Sequence, residues 1–373
     1  MAESSATPLG NSDADREEML DRMLTRLALC DDSKLQPLLS KLLPLTISSL
    51  SSQSLAVRKK WVMPNRVIVL LAGWRNWFGK CSSAVWNLAP LCLMWVLEIL
   101  SHVNKRVKHH LEIGLPLLEL WKMYSEANAA PMVRNFCIVY IEMAFERVQV
   151  KEKEELAPML LVNISKLPLQ HQEIILRIAT KVIGECHSSR IDDEVAAKYR
   201  SINDSQDREL FIEFCLHTLL YQPPPQSGGC PPGLSIAQAN RVSGKHLLKS
   251  DILLMRKLGI LNVIEAMEFA PELVYPIYVA ACVDWQEPVV KRGEELLKKK
   301  GSSANLENPN LINRLFILFN GTAGAENVDP DLRVNPGNPA LKARLMSIFC
   351  HSVMAANSFP STLQCIFGCI YGT

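Results

Sequence analysis

The 373 residues contain no CxxC pair, no GxGxxG, no HExxH and no GxSxG. These absences exclude zinc and dithiol sites built on paired thiols, the glycine cradle of a dinucleotide fold, helix-borne zinc ligands and a hydrolase nucleophile elbow. A dominant charge sign is lacking too. Forty Lys+Arg against 38 Asp+Glu leave a formal +2, without the basic excess that nucleic-acid binding uses, so no nucleic-acid partner is expected. The opening MAESSATPLGNSDAD carries Glu3, Asp13 and Asp15 and no apolar core. It is not a signal peptide, and residues 1–15 are read as a disordered N-terminus. Alternating apolar and polar runs rich in β-branched residues are missing, which excludes an exposed sheet.

What is present is helical. Hydrophobic residues make up 48% of the chain, enough for a sizeable core in two or three units or in one elongated repeat array. Apolar residues recur at helical spacing in Met19–Leu27 and in Leu35–Leu50, where Pro44 introduces a bend. The same spacing predicts helices in Leu115–Ser125, Met132–Val148, Glu152–Leu167, Gln170–Cys186, Gln206–Tyr221 and His246–Met267. It continues through Ala270–Val283, Glu287–Lys299, Leu311–Phe319 and Ala340–Ala355. Two stretches break the pattern. Residues 222–233 (QPPPQSGGCPPG) hold five prolines and three glycines, and residues 320–339 (NGTAGAENVDPDLRVNPGNP) carry turn residues throughout, so both are read as long loops. Helices of this length on short connections suit an all-α, HEAT/armadillo-like solenoid of stacked hairpins over residues 16–373.

A small pattern recurs: Val57-Arg58, Val133-Arg134 and Val290-Lys291 each place a valine and a basic residue near a helix start after a short turn. In HEAT repeats such a valine packs inward and the cation can bond to the preceding turn. Val133 and Val290 are 157 residues apart, close to four periods of about 40. Val57 and Val133 are 76 apart, which becomes 41 when 35 residues are removed. Those residues are 61–95, which hold five of the seven tryptophans: Trp61, Trp74, Trp77, Trp86 and Trp95. Joining Lys60 to Val96 puts Val57, Val96, Ile99/Leu100, Val103 and Val107 on one helical face. Residues 61–95 therefore read as an in-frame insertion, such as a retained intron, and as a poorly ordered segment. Within them and just beyond, residues 81–97 form 17 uncharged positions, near the lower limit for a membrane span. Ser82, Ser83, Asn87 and Pro90 interrupt that stretch, and no membrane insertion is expected.

Chemistry-bearing groups are scattered. Ala239–His246 (ANRVSGKH) ends like a phosphate loop but lacks glycine at 239 and a hydroxyl residue after Lys245. The adjacent pairs His109-His110 and Cys186-His187 diverge on a helix, and Cys365-x3-Cys369 reads as helix packing. Asp192-Asp193-Glu194 reads as a helix start, and Lys298-Lys299-Lys300 complements a helix C-terminus. Arg58-Lys59-Lys60 and Lys105-Arg106 with Lys108 read as solvated faces. Cys30, Cys137, Cys186, Cys215, Cys282 and Cys350 sit among apolar neighbours as buried thiols of a reducing compartment, so the chain is placed in cytoplasm and nucleus. No catalytic, cofactor-binding or metal residue is assigned, no cofactor is expected, and partner-binding residues stay unassigned.

Several ordered blocks resemble one family. These are LLSKLLPLTISSLSSQSLAVRKK at 38–60, VLEILSHVNKRVKHHLEIGLPLLELW at 96–121, VRNFCIVYIEMAFERV at 133–148 and KEELAPMLLVNISKLPLQHQEIILRI at 153–178, continued by Lys249–Lys300. They are similar to the N-terminal region of the proteasome stabiliser family, HEAT-repeat adaptors associated with the 26S proteasome. The resemblance covers residues 16–60 and 96–373 and has no counterpart for 61–95. It implies a non-enzymatic scaffold that binds and stabilises the 26S proteasome, bridging core and regulatory particles. Family members are several times longer, so the resemblance also implies a truncated form holding the first repeats. Two other readings fit the helical pattern: a HEAT-repeat adaptor for cargo in nuclear transport or translation control, and a helical protein anchored in a membrane through residues 67–97.

Overall fold

The computed structural model describes residues 114–126, 129, 131–224, 229–244, 246–322 and 329–371, together with Ser40. The runs at 19–27 and 35–50 (Ser40 excepted), the segment 61–95 and the helix halves 54–60 and 96–108 lie outside them. So do His109-His110, Arg58–Lys60 and Lys105–Lys108. Among the described residues there are α-helices, short 3-10 turns and no strand, as the pattern implied. They fall into two units divided after Val148.

In the first unit, α1 (Leu117–Ser125) packs on α2 (Pro131–Phe145). Leu117, Leu120 and Tyr124 of α1 are buried, as are Val133, Phe136, Cys137, Tyr140, Ile141 and Ala144 of α2, the 3–4 residue rhythm of one apolar face. Val133 points inward and Arg134 Nη2 donates to the Glu126 carbonyl at 2.9 Å, tying the start of α2 to the preceding turn.

The second unit begins with α3 (Val150–Leu160), α4 (Leu169–His187) and α5 (Asp193–Arg200). It continues with α6 (Ser205–Leu220), α7 (Ile236–Ser243), α8 (Ser250–Met267), α9 (Pro271–Ala281) and α10 (Glu287–Lys300). The last elements are α11 (Pro309–Asn320), α12 (Pro339–Phe349), α13 (Val353–Asn357) and α14 (Phe359–Tyr371). In one layer α8 lies between α4 and α10; in the other α6 lies against α9, which meets α11 and α12. The result is a stack of helical hairpins. Caps set the starts: Asp204 accepts from the Gln206 and Asp207 amides, and Ser235 with Gln238 forms a reciprocal capping box.

Glycine permits the closest contact in the stack. A Cβ on Gly184 of α4 would sit 2.7 Å from Arg256 Cα of α8, and one on Gly259 would sit 2.4 Å from the Ile183 carbonyl oxygen. Between α8 and the α9–α10 turn, Lys257 Nζ donates to Asp284 Oδ2 at 2.5 Å, both side chains almost wholly buried.

Several boundaries differ from the periodicity, and distant carboxylates explain two of them. The run expected over Glu152–Leu167 stops at Leu160. Asp207 of α6 accepts from the Asn163 amide (2.7 Å), the Ser165 amide (2.8 Å) and the Ser165 hydroxyl (2.6 Å). Those bonds favour a left-handed Asn163 over continued helix. The run expected over Ala340–Ala355 splits into α12 and α13, because Glu307 accepts from the Val353 and Met354 amides at 2.8 and 2.7 Å, founding a new helix start. The described residues of 222–233 and 320–339 contain no α-helix beyond Asn320 and bond to each other. The Gly233 amide donates to the Asn335 carbonyl at 3.1 Å, and the Asn335 amide to the Leu234 carbonyl at 3.0 Å.

Candidate interaction surface

The outer face of α4, α8 and α10 carries a groove of about 450 Å³. It is lined by residues 188–191 after α4, by Leu258, Asn262 and Glu265 of α8, and by Arg292 and Glu295 of α10. Its floor is a strap of polar bonds across three helices. Asn262 Nδ2 donates to the His187 carbonyl at 2.9 Å and to the Ser188 carbonyl at 3.4 Å, satisfying orphan acceptors at the end of α4. Asn262 Oδ1 accepts from Arg292 Nε at 3.0 Å. Glu265 accepts from Arg292 Nη2 and from Lys299 Nζ, the latter at 2.7 Å, while Lys300 Nζ donates to the Glu265 carbonyl at 3.0 Å. Burial works to raise the Glu265 carboxyl, but the bonds from Lys299 and Arg292 outweigh it and hold the group below its ordinary range.

The strap leaves Leu258 and the backbone of residues 188–191 beside fixed charges of both signs. That combination suits an extended peptide or a helix end, with apolar contact and paired polar groups. Ile252 and Met255 extend the exposed side of α8 toward its N-terminus. There Gln286 Nε2 donates to the Ser250 carbonyl at 2.9 Å and anchors the turn carrying Trp285, which is 47% exposed.

The structure sorts the residues singled out by sequence. In the third valine–cation pair the register differs by one: Val289, Gly293 and Leu296 face inward, so Val290 is half-buried and Lys291 is exposed, paired to Glu287 at 2.7 Å. The cation that bridges helices is Arg292, a position the repeat pattern missed. Asp192 takes the N-cap position of α5, with Asp193 and Glu194 in its first turn, and Lys298–Lys300 occupy the last turn of α10. His187 is buried against the edge of the Tyr199 ring, while Cys186 is half-buried with its thiol 3.8 Å from the Val150 carbonyl. Cys365 is buried and Cys369 exposed, both free thiols. Among the described residues no group of three or more His, Cys, Asp or Glu is placed to hold a metal, and no helix is long and apolar enough to cross a membrane. Residues 81–97 lie outside that description.

Stacked hairpins with an outer groove crossed by interhelical bonds define an all-α, helical-repeat type of protein. The chain belongs to the family described as Proteasome component ECM29, N-terminal, whose model matches residues 20–63 and 94–373 and leaves out 64–93. It is 26% identical over 405 aligned positions to the human "Proteasome adapter and scaffold protein ECM29", covering 99% of this chain and 20% of that protein. It is 22% identical over 362 positions to the Drosophila melanogaster "Proteasome-associated protein ECM29 homolog", covering 95% of this chain and 17% of that protein. The chain thus spans about a fifth of the length of these curated relatives. No solved structure matches it.

Proposed function

We propose that this chain is a non-enzymatic scaffold module that binds the proteasome and contributes to bridging its core and regulatory particles. The family match on both sides of residues 64–93, with relatives named as proteasome adapter and proteasome-associated proteins, carries this reading. The mechanism is surface complementarity, with the groove between α4, α8 and α10 as one contact. Leu258 supplies apolar area at its centre, and the Asn262–Arg292–Glu265 strap keeps the walls in place. The reading places the chain in cytoplasm and nucleus; free thiols at all eight cysteines of the described residues fit a reducing compartment.

Affinity purification of the tagged chain tests it. Core and regulatory subunits are expected to co-purify, and Leu258→Glu, which puts a charge at the groove's apolar centre, is expected to lower recovery about tenfold or more. Recovery of nuclear-transport or translation factors without proteasome subunits overturns the reading in favour of an adaptor for other cargo. We also propose that residues 61–95 are an insertion into this module, consistent with the span that the family match skips.

A further inference from the structure

Arg256 lies in the middle of α8 with 5% of its surface exposed. Its backbone abuts Gly184, and helical side chains lean toward the helix N-terminus, so the guanidinium is carried toward the α7–α8 turn. The groups that act on it there are Glu185, Arg177 and Tyr221. None neutralises it. Glu185 is committed to Lys153 at 2.8 Å. Arg256 Nε has no hydrogen-bond partner, and among the described residues no ion pair reaches the guanidinium. Burial pulls Arg256 down to about 10, with Glu185 opposing that fall and Arg177 adding to it, so the group still carries its charge at neutral pH.

A second guanidinium stands nearby with little to hold it. Arg177 Nη1 makes one long bond, 3.4 Å, to the Arg241 carbonyl, while the Arg241 side chain is neutralised by Glu173 at 2.8 Å. Arg177 packs on Gly244, whose φ is +67°; a Cβ there would lie 3.2 Å from Arg177 Nε. The glycine therefore leaves room for the guanidinium, a use of the Ser243-Gly244 sequence unrelated to a nucleotide loop. The Tyr221 hydroxyl, bordered by Ser243 and the Leu248 amide, is likewise buried without a hydrogen-bond partner.

We propose that Arg256, Arg177 and the Tyr221 hydroxyl form a seat for a phosphate group at the turn between α7 and α8. Two unmatched guanidinium charges complement a dianion, and Arg256 Nε–H with the phenolic O–H offers donors to different oxygens of a tetrahedron. A single carboxylate leaves one of the two charges uncompensated, so acetate is expected to bind more weakly. The site is nearly closed, which restricts the ligand to free phosphate or to a phosphate at the tip of a side chain.

Thermal unfolding of the full chain in inorganic phosphate, against sodium chloride at equal ionic strength, tests the seat. The midpoint is expected to rise with phosphate concentration as linkage requires. Arg256→Met is expected to weaken the apparent affinity by about tenfold or more, and Arg256→Lys to restore part of it. If Arg256→Met does not fold, the wild-type arginine Nε–Hε resonances decide: two of them shifting saturably with phosphate sustain the seat. A response to O-phosphoserine as well as phosphate assigns a phosphorylated side chain, and a response to phosphate alone assigns the free anion. A wild-type response no larger than that to chloride, unshifted arginine resonances, or an undiminished response in Arg256→Met overturns the proposal.

Discussion

At the residue scale the buried polar groups carry the sharpest consequences. Lys257 and Asp284 sit opposite each other with almost no solvent contact, burial pulling the ammonium down and pushing the carboxyl up while their attraction opposes both. Removing one partner strands the other, so Asp284→Ala is expected to cost about 3–5 kcal/mol in urea unfolding. Pairing it with Lys257→Met is expected to recover part of that loss. His217 is buried on α6, and its pKa is lowered to about 4 by burial, reinforced by Arg241 and Arg314. The folded state therefore disfavours the imidazolium. Its contribution is fully present above the unfolded value near 6.5 and is lost as pH falls from there toward 4. Between pH 7 and 5, wild type is expected to lose about 2 kcal/mol more stability than His217→Phe, read from urea midpoints at each pH. The sequence disclosed neither group. In LLMRKLGIL an arginine–lysine pair inside an apolar helix reads as its wet side, and a histidine in FCLHTLL carries no sign of its partners. The thiols were more legible: Cys137 and Cys215 are buried and raised by that burial, Cys137 to about 12, although Cys350 proves exposed.

At the scale of elements, periodicity located most of the helices, because a 3.6-residue rhythm is a local property of an amphipathic face. It failed where the competing interaction came from far away. The break after Leu160 depends on Asp207, and the start of α13 depends on Glu307, each more than 40 residues distant in sequence. The short helix α7 was passed over between a proline-rich loop and the Ser243-Gly244 turn, although Ser235 and Gln238 at a three-residue spacing are a capping box. Packing between α4 and α8 rests on two glycines that periodicity scores as poor helix formers. Gly259→Ala places a methyl 2.4 Å from the Ile183 carbonyl oxygen, so the helices must separate. An overpacking cost of about 1–3 kcal/mol is expected, measured as a lowered urea midpoint. An unchanged midpoint would show that the crossing is looser than this geometry.

At the scale of the whole molecule, the family match and the valine–cation spacing agree on repeats either side of a tryptophan-rich stretch. The match omits residues 64–93, within the proposed insertion 61–95. Sequencing transcripts across the codons for Lys60 and Val96 is expected to recover a form that joins them directly; uniform inclusion of all 35 codons counts against the insertion. The amino-acid sequence by itself determined the all-α class and the absence of the familiar catalytic motifs, since both are written in local spacing and residue type. It also carried the family, through ordered blocks of residues. Only the tertiary structure decided which charges lie inside, where helices stop, and how α4, α8 and α10 share a polar strap. Those outcomes depend on groups that meet from different hairpins. Arg256 and Lys257 are adjacent in sequence and equally buried, yet Asp284 answers one and no carboxylate answers the other.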